Sequence, residues 1–246
     1  MTVISLTSDI GQKDYLTGAV KGRLWQINEQ FQIADISHDI TPFNYNEAAY
    51  FIRNAYPHFP AYSWHIILVN IFDNPTPRCL LAFHDNMYFA CPDNGLLPMI
   101  FDGMPQQTIE LPLSDNQVPN MLAWVSAIGN AIQQMDTGQP FQQLGLEPPK
   151  IVAKNSLKPN YGEDWLEGRI IYIDRFENVI VNITKPEFEA VRKGRNFYIN
   201  FKTDDRINRL SEHYGQVNQG AKLDFFNTAG YLEIAVNKGN AAGLFG

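Results

Sequence analysis

The sequence predicts an α/β N-terminal domain on a mostly parallel central sheet, joined to a small C-terminal β-barrel domain. Three observations carry that expectation. Over residues 1–147 short apolar runs alternate with helical periods. Residues 148–164 carry Pro148, Pro149, Pro159 and Gly162, the composition of a linker. From 165 to 246 short strand-like runs succeed one another at the spacing of a small barrel.

The elements follow in order. Residues 3–6 form a compact strand run that ends in a Ser-Asp-Ile-Gly turn, and Leu16, Val20, Leu24 and Ile27 then share one helical face. Residues 31–36 read as a strand, and Ala48, Phe51, Ile52 and Ala55 mark a helix ending before Pro57. The nearly continuous apolar run 64–69 suits a strand covered on both faces. Runs 79–83 and 87–91 flank a hairpin-like His-Asp-Asn break, and Met121, Val125, Ile128 and Ile132 give a further helix. In the second part, strands are expected at 169–173, 179–183, 196–201, 222–226 and 231–236. A short helix runs between Pro186 and Gly194.

Composition narrows the function. Hydrophobic residues make up 45% of the 246 and charged residues 18%, so the chain folds and leaves apolar surface for contact between subunits. Nineteen Lys and Arg against 26 Asp and Glu give a net charge of -7, which disfavours nucleic acid and acidic membranes as partners. Cys79 and Cys91 lack CxxC spacing, and the five histidines show no HxH or HExxH pattern, so no metal site is expected. No signal-like segment or membrane-length apolar run is present, which places the protein in the cytoplasm.

Several segments can carry chemistry. Asp9, after the first strand, can accept both hydroxyls of a ribose, or it or Gln12 can cap the next helix. His38, flanked by Asp35 and Asp39, can be a base or tie down a turn. Residues 70–78 form a polar, proline-rich loop after an apolar strand, and 92–97 read as a turn or helix start. Asp174, Phe176 and Asn178 share one side if the chain is extended, setting an acid, a ring and an amide together; the alternative is a hairpin turn closed by Asn178. Residues 227–235 are a turn and strand. No GxGxxG or GxxxxGK[ST] motif occurs.

Taken in this order, the segments closely resemble the S-adenosyl-L-methionine (SAM) hydroxide adenosyltransferase family, relatives of the SAM-dependent fluorinase and chlorinase, over nearly the whole chain. Residues 8–14 are similar to its Thr-Asp-Phe-Gly-x-x-Asp, 18–22 to Gly-Ala-x-Lys-Gly, and 35–38 to Asp-Ile-Ser-His. Likewise 92–97 match Pro-Asp-Asn-Gly-Leu-Leu, 174–183 resemble Asp-x-Phe-Gly-Asn-x-x-x-Asn-Ile, and 230–235 match Gly-x-Leu-Glu-Ile-Ala. The resemblance implies a homotrimer that binds an adenosyl ligand between subunits without a separate cofactor. Asp9 would hold the ribose hydroxyls, Asp174 the methionine ammonium, and Phe176 with Asn178 the adenine. The implied reaction is attack of water at the ribose C5′, giving adenosine and methionine.

The chain departs from that family at its water-handling Asp-Arg-His triad. Asn70 stands at the aspartate, Pro77 at the arginine with Arg78 next to it, and Pro119 at the histidine. An amide orients water but takes no proton at neutral pH. Arg78 and Asp73 are the candidates for a substitute pair, so Asn70 and Arg78 are the expected catalytic positions. Glu177 replaces a family glycine and Thr228-Ala229 replace paired serines. The fluorinase's added loop is absent between Arg78 and Pro92, which makes a halide nucleophile a minor option. Two classes follow: a SAM hydrolase, or a SAM- or adenosine-binding protein that has lost the triad.

Overall fold

The structure, a computed structural model, describes residues 1–113, 120–148, 150–202 and 205–245. The chain divides into two compact units, Met1–Ser156 and Leu157–Gly246. The first unit runs β1 (Val3–Ser8), α1 (Leu16–Ile27), β2 (Gln32–Ser37), α2 (Tyr45–Ala55), β3 (Trp64–Leu68), β4 (Cys79–His84), β5 (Met87–Pro92), α3 (Leu96–Phe101), β6 (Gln107–Leu111) and α4 (Met121–Asp136). Its strands form one six-stranded sheet in the order β2-β1-β3-β5-β4-β6.

Alternation along the buried strands builds two cores. Trp64, Ile66 and Leu68 of β3 join Val20 and Leu24 of α1 and Trp124, Val125 and Ile128 of α4. Ile67 and the following Val69 join Ala48, Ala49 and Ile52 of α2 and Leu96 and Leu97 of α3. The unit is therefore a three-layer α/β/α sandwich. Cys79 and Cys91 are free and buried, one in each core.

Among the described residues three of the five strand pairings are parallel, in line with the expected mostly parallel sheet, and β4 makes the sheet mixed. β1 pairs in parallel with β2 and β3, and β3 with β5, but β4 is antiparallel to both β5 and β6. The cause is local. Asp85 and Asn86 both take positive φ, 47° and 59°, the geometry of a tight hairpin turn, which returns the chain antiparallel. A parallel neighbour would need a crossover of about a dozen residues.

The second unit contains β7 (Asn160–Tyr161), β8 (Leu166–Glu167), β9 (Ile170–Ile173), β10 (Val179–Thr184), α5 (Lys185–Arg192), β11 (Ile199–Lys202), β12 (Asp205–Ile207), β13 (Lys222–Phe226) and β14 (Tyr231–Val236). Among the described residues the pairings give an antiparallel sheet, β13-β14-β10-β9, and two ribbons, and no pairing there closes the expected barrel. α5 starts at a capping box, with Thr184 and Glu187 bonding each other's backbone. A cavity of about 870 Å³ lies among the sheet, α5 and β11, lined by Val181, Phe188, Phe201 and Ile234.

Asp224 of β13 is wholly buried, and neither carboxyl oxygen has a partner among the described residues. Burial pushes this carboxyl up to about 7. The folded chain therefore keeps a proton that the unfolded chain releases at ordinary carboxylate pH, and stability falls as pH rises from about 4 to 7. Asp224→Asn, which never ionises, should gain on the wild type by about 3 kcal/mol between pH 5 and pH 8, at about 1.4 kcal/mol per pKa unit. Urea unfolding at both pH values checks this, and an unchanged gap refutes it.

Candidate functional site

The order of the first unit's sheet turns outward from β1, with β2 on one side and β3 on the other. Open α/β sheets bind ligands in the crevice beyond the carboxyl ends of strands at such a switch point. Asp9 directly follows β1, and Asn70 follows β3 by two residues. The Asn70 backbone N–H donates to Asp9 Oδ2 at 3.0 Å. Burial lifts the Asp9 carboxyl above its ordinary value, while the backbone N–H groups of Asn70, Asp9 and Phe43 pull it back. Asp9 does not cap α1; that helix's first turn is met by Asp14, whose Oδ1 accepts the Leu16 N–H at 2.9 Å.

Asn70 sits at φ 46°, a left-handed conformation that asparagine tolerates. Its Nδ2 donates to Tyr45 Oη at 2.6 Å and to Asp73 Oδ1 at 3.0 Å. The buried Asn94 holds this loop from the other side, donating to the carbonyls of Val69 (2.9 Å) and Asn70 (3.2 Å). The 92–97 segment is thus a clamp that ends in α3.

Arg78 and Asp73 do not form the expected pair. Arg78 bonds the carboxylate of buried Asp93, Glu110 Oε2 at 3.1 Å and the Lys150 carbonyl at 2.6 Å. The cation beside Asp73 is Lys154, whose Nζ lies 3.5 Å from Asp73 Oδ2 and 3.7 Å from the centre of the Tyr45 ring. Tyr45 and Lys154 escaped the reading of the sequence: the lysine falls in the stretch read as a linker, and the tyrosine carries no motif. Pro119 lies outside the described residues.

The Asp35, His38 and Asp39 segment resolves as a turn anchor. His38 Nδ1 pairs with Ser8 Oγ at 2.7 Å, and its Nε2 lies 3.1 Å from Asp35 Oδ1. Ser8 is 0% and His38 1% exposed, so this serine meets no solute. The His38 carbonyl accepts the Gly11 N–H at 2.7 Å, which ties the loop after β2 to the loop after β1.

In the second unit Asp174, Phe176 and Asn178 occupy a turn and not the extended chain that would align them. Asp174 Oδ1 accepts the N–H groups of Phe176 and Asn178, both at 2.8 Å, and Oδ2 accepts Asn178 Nδ2 at 3.1 Å. The Asp174 N–H donates to the Asn178 carbonyl at 3.0 Å, which closes the hairpin. Glu177 takes φ 62°, a left-handed position that favours glycine. Asn178 also donates to Tyr214 Oη at 3.1 Å, and Tyr214 donates to Glu233. The Phe176 ring is 75% exposed. Among the described residues no group of three or more His, Cys, Asp or Glu is arranged to hold a metal, and no helix is long and apolar enough to cross a membrane.

Comparison with known proteins agrees with this architecture. Residues 4–145 match the SAM hydroxide adenosyltransferase N-terminal domain and residues 168–246 the C-terminal domain. The chain is 27% identical to the (R)-S-adenosyl-L-methionine hydrolase of Methanocaldococcus jannaschii, covering 99% of this chain and 92% of that one. It is 25% identical to the protein of the same name from Thermus thermophilus, covering 100% and 96%. An uncharacterized conserved protein from Thermotoga maritima shares the fold with a TM-score of 0.81 at 23% identity, over 98% of this chain and 95% of that one. A conserved hypothetical protein from Thermus thermophilus does so at 0.74 and 24%, over 99% and 95%.

The partners of Arg78 make its removal a matter of stability. Arg78→Met strands the buried Asp93 carboxylate and should cost about 3 kcal/mol of unfolding free energy, as for a broken buried ion pair. Asp93→Asn in that background should recover part of the loss. Urea unfolding of the single and double variants checks both, and an unchanged midpoint for Arg78→Met refutes the assignment.

Proposed function

The chain belongs to the SAM hydroxide adenosyltransferase family, and from that premise we propose that it binds SAM and hydrolyses it to adenosine and L-methionine. The observation that carries this reading is the Asp9 carboxylate at the switch point, fixed by a backbone N–H rather than by a counter-charge. An ionised carboxylate so held accepts the two hydroxyls of a ribose. On the second unit, Asp174 would take the methionine ammonium, and Phe176 with Asn178 the adenine. Their mutual bonds set the turn before any ligand arrives.

The chemistry asks little of an acid. Water attacks C5′ while the C5′–S bond breaks, the bonding pair stays on sulfur, the sulfonium becomes the neutral thioether of methionine, and one proton is released. Alignment of the water and a place for its proton are what the site must supply. Asn70 orients the water in this reading, and Arg78 acts by holding the 92–97 clamp. A homotrimer in the cytoplasm is the assembly and location that go with the family reading.

A second reading rests on Asn70 and Pro77 standing where the family has its aspartate and arginine. In it the protein keeps the adenosyl pocket and binds without turnover, because loss of a general base slows such a step by about 10² to 10⁴-fold.

A single-turnover assay with protein in excess over SAM, following adenosine and methionine by chromatography, separates the two. Adenosine above the no-protein control supports hydrolysis; binding without adenosine supports the second reading. Asp9→Ala should abolish binding of SAM and adenosine in either case, as read by calorimetry. Undiminished affinity in that variant refutes the ribose assignment.

A further inference from the structure

We propose that Asp73 is the general base of this site and that Lys154 supplies the cation lost at Pro77; the inference rests on the hydrolytic reading above. Four contacts carry it. Asp73 Oδ1 is 3.0 Å from the Asn70 amide, so a carboxylate stands one hydrogen bond away from the position where the family's own carboxylate is replaced. An ionised carboxylate only accepts, which fixes the Asn70 atom facing it as the NH₂ group. Both amide donors are then spent, on Asp73 and Tyr45, and the amide oxygen has no bond among the described residues. It is free to take a hydrogen of the attacking water.

Lys154 is built into this arrangement. Its stem lies across Gly95: a Cβ there would come within 2.5 Å of Lys154 Cγ and 2.8 Å of its Cδ. Only a bare backbone lets the lysine pass, and φ 91° at Gly95 favours glycine as well. Beyond Gly95 the ammonium meets the Tyr45 ring and Asp73 Oδ2. Tyr45, Asn70, Asp73, Gly95 and Lys154 thus make one cluster beside Asp9. In the reaction the water oxygen bonds to C5′, methionine leaves with the C5′–S pair, and the water proton passes to the Asp73 carboxylate, which later yields it to solvent. Asp73 and Asn70, which both touch the attacking water, are the catalytic residues; Lys154, which acts through Asp73, is a positioning residue.

The test compares wild type, Asp73→Asn, Lys154→Met and Lys154→Arg in the single-turnover assay, with adenosine affinity measured by calorimetry. Asp73→Asn should bind adenosine as the wild type does and form adenosine about 10²-fold more slowly or worse, the size of a lost general base. Lys154→Met should slow adenosine formation several-fold with adenosine affinity unchanged, and Lys154→Arg, which keeps the positive charge beside Asp73, should restore the rate. A packing role for Lys154 would leave the apolar methionine no worse than arginine. Asp73→Asn turning over at the wild-type rate overturns the proposal and leaves the hydrolytic reading standing. A wild type that binds SAM and forms no adenosine overturns the hydrolytic reading and this base with it.

Discussion

A carboxylate partly withdrawn from water has to be met by donors, and at the switch point of the first unit the donors to Asp9 are backbone N–H groups, that of Asn70 foremost. A backbone N–H meets it without freezing a flexible side chain and without cancelling its charge, so the carboxylate can still accept from a ligand. The demand spreads outward. Asn70 adopts φ 46° at this place, and its carbonyl and that of Val69 are met by Asn94. Asn94 stands between Asp93, which Arg78 bonds, and Gly95, which gives Lys154 its path. Loops after β1, β3 and β5 are therefore one hydrogen-bonded system, which is why the recognisable segments of the sequence fall in them.

Much of the fold was legible because its signals are local. The apolar run of β3 and the helical faces of α1 and α4 each declare themselves within a dozen residues. β6 did not: of its five residues only Ile109 and Leu111 are buried, and an edge strand with so little apolar content reads as loop. α3 spans six residues and includes Pro98, so only its beginning was read, as a turn or helix start. The mixed sheet followed from two residues, Asp85 and Asn86, whose left-handed geometry outweighed the βα alternation around them.

At the site the same boundary holds. Asp9 and Asn70 were readable from their places after apolar strands. Lys154 was not, because it reaches Asp73 across 81 positions from a proline-rich stretch. Its part within the first unit is held there by two bonds: the Val152 N–H donates to Asp93 Oδ1 at 2.8 Å, and Ser156 Oγ to the Met99 carbonyl at 3.0 Å. In the second unit, spacing left two readings of Asp174, Phe176 and Asn178, one face of an extended chain or a hairpin turn closed by Asn178. Glu177 at φ 62° breaks the extended periodicity, and the grouping arises from a turn whose carboxylate bonds its own backbone.

The placement of negative charge is also a kinetic matter for the proposed reaction. The substrate carries its positive charge on sulfur, and in the transition state part of that charge moves to the attacking oxygen. A carboxylate near sulfur stabilises the ground state and slows the step, whereas one near the water stabilises charge that appears only as the bond forms. Asp73 meets the second condition if the water is held by the Asn70 amide oxygen. Lys154 then has a further effect: by partly neutralising Asp73 it weakens the pull of that carboxylate on the sulfonium, so substrate charge is not drawn to the group that must receive the proton. If Asp73 is the base, then in this chain, with its net charge of -7, a lysine threaded over Gly95 would keep that base from becoming a trap for the cation it is proposed to act on.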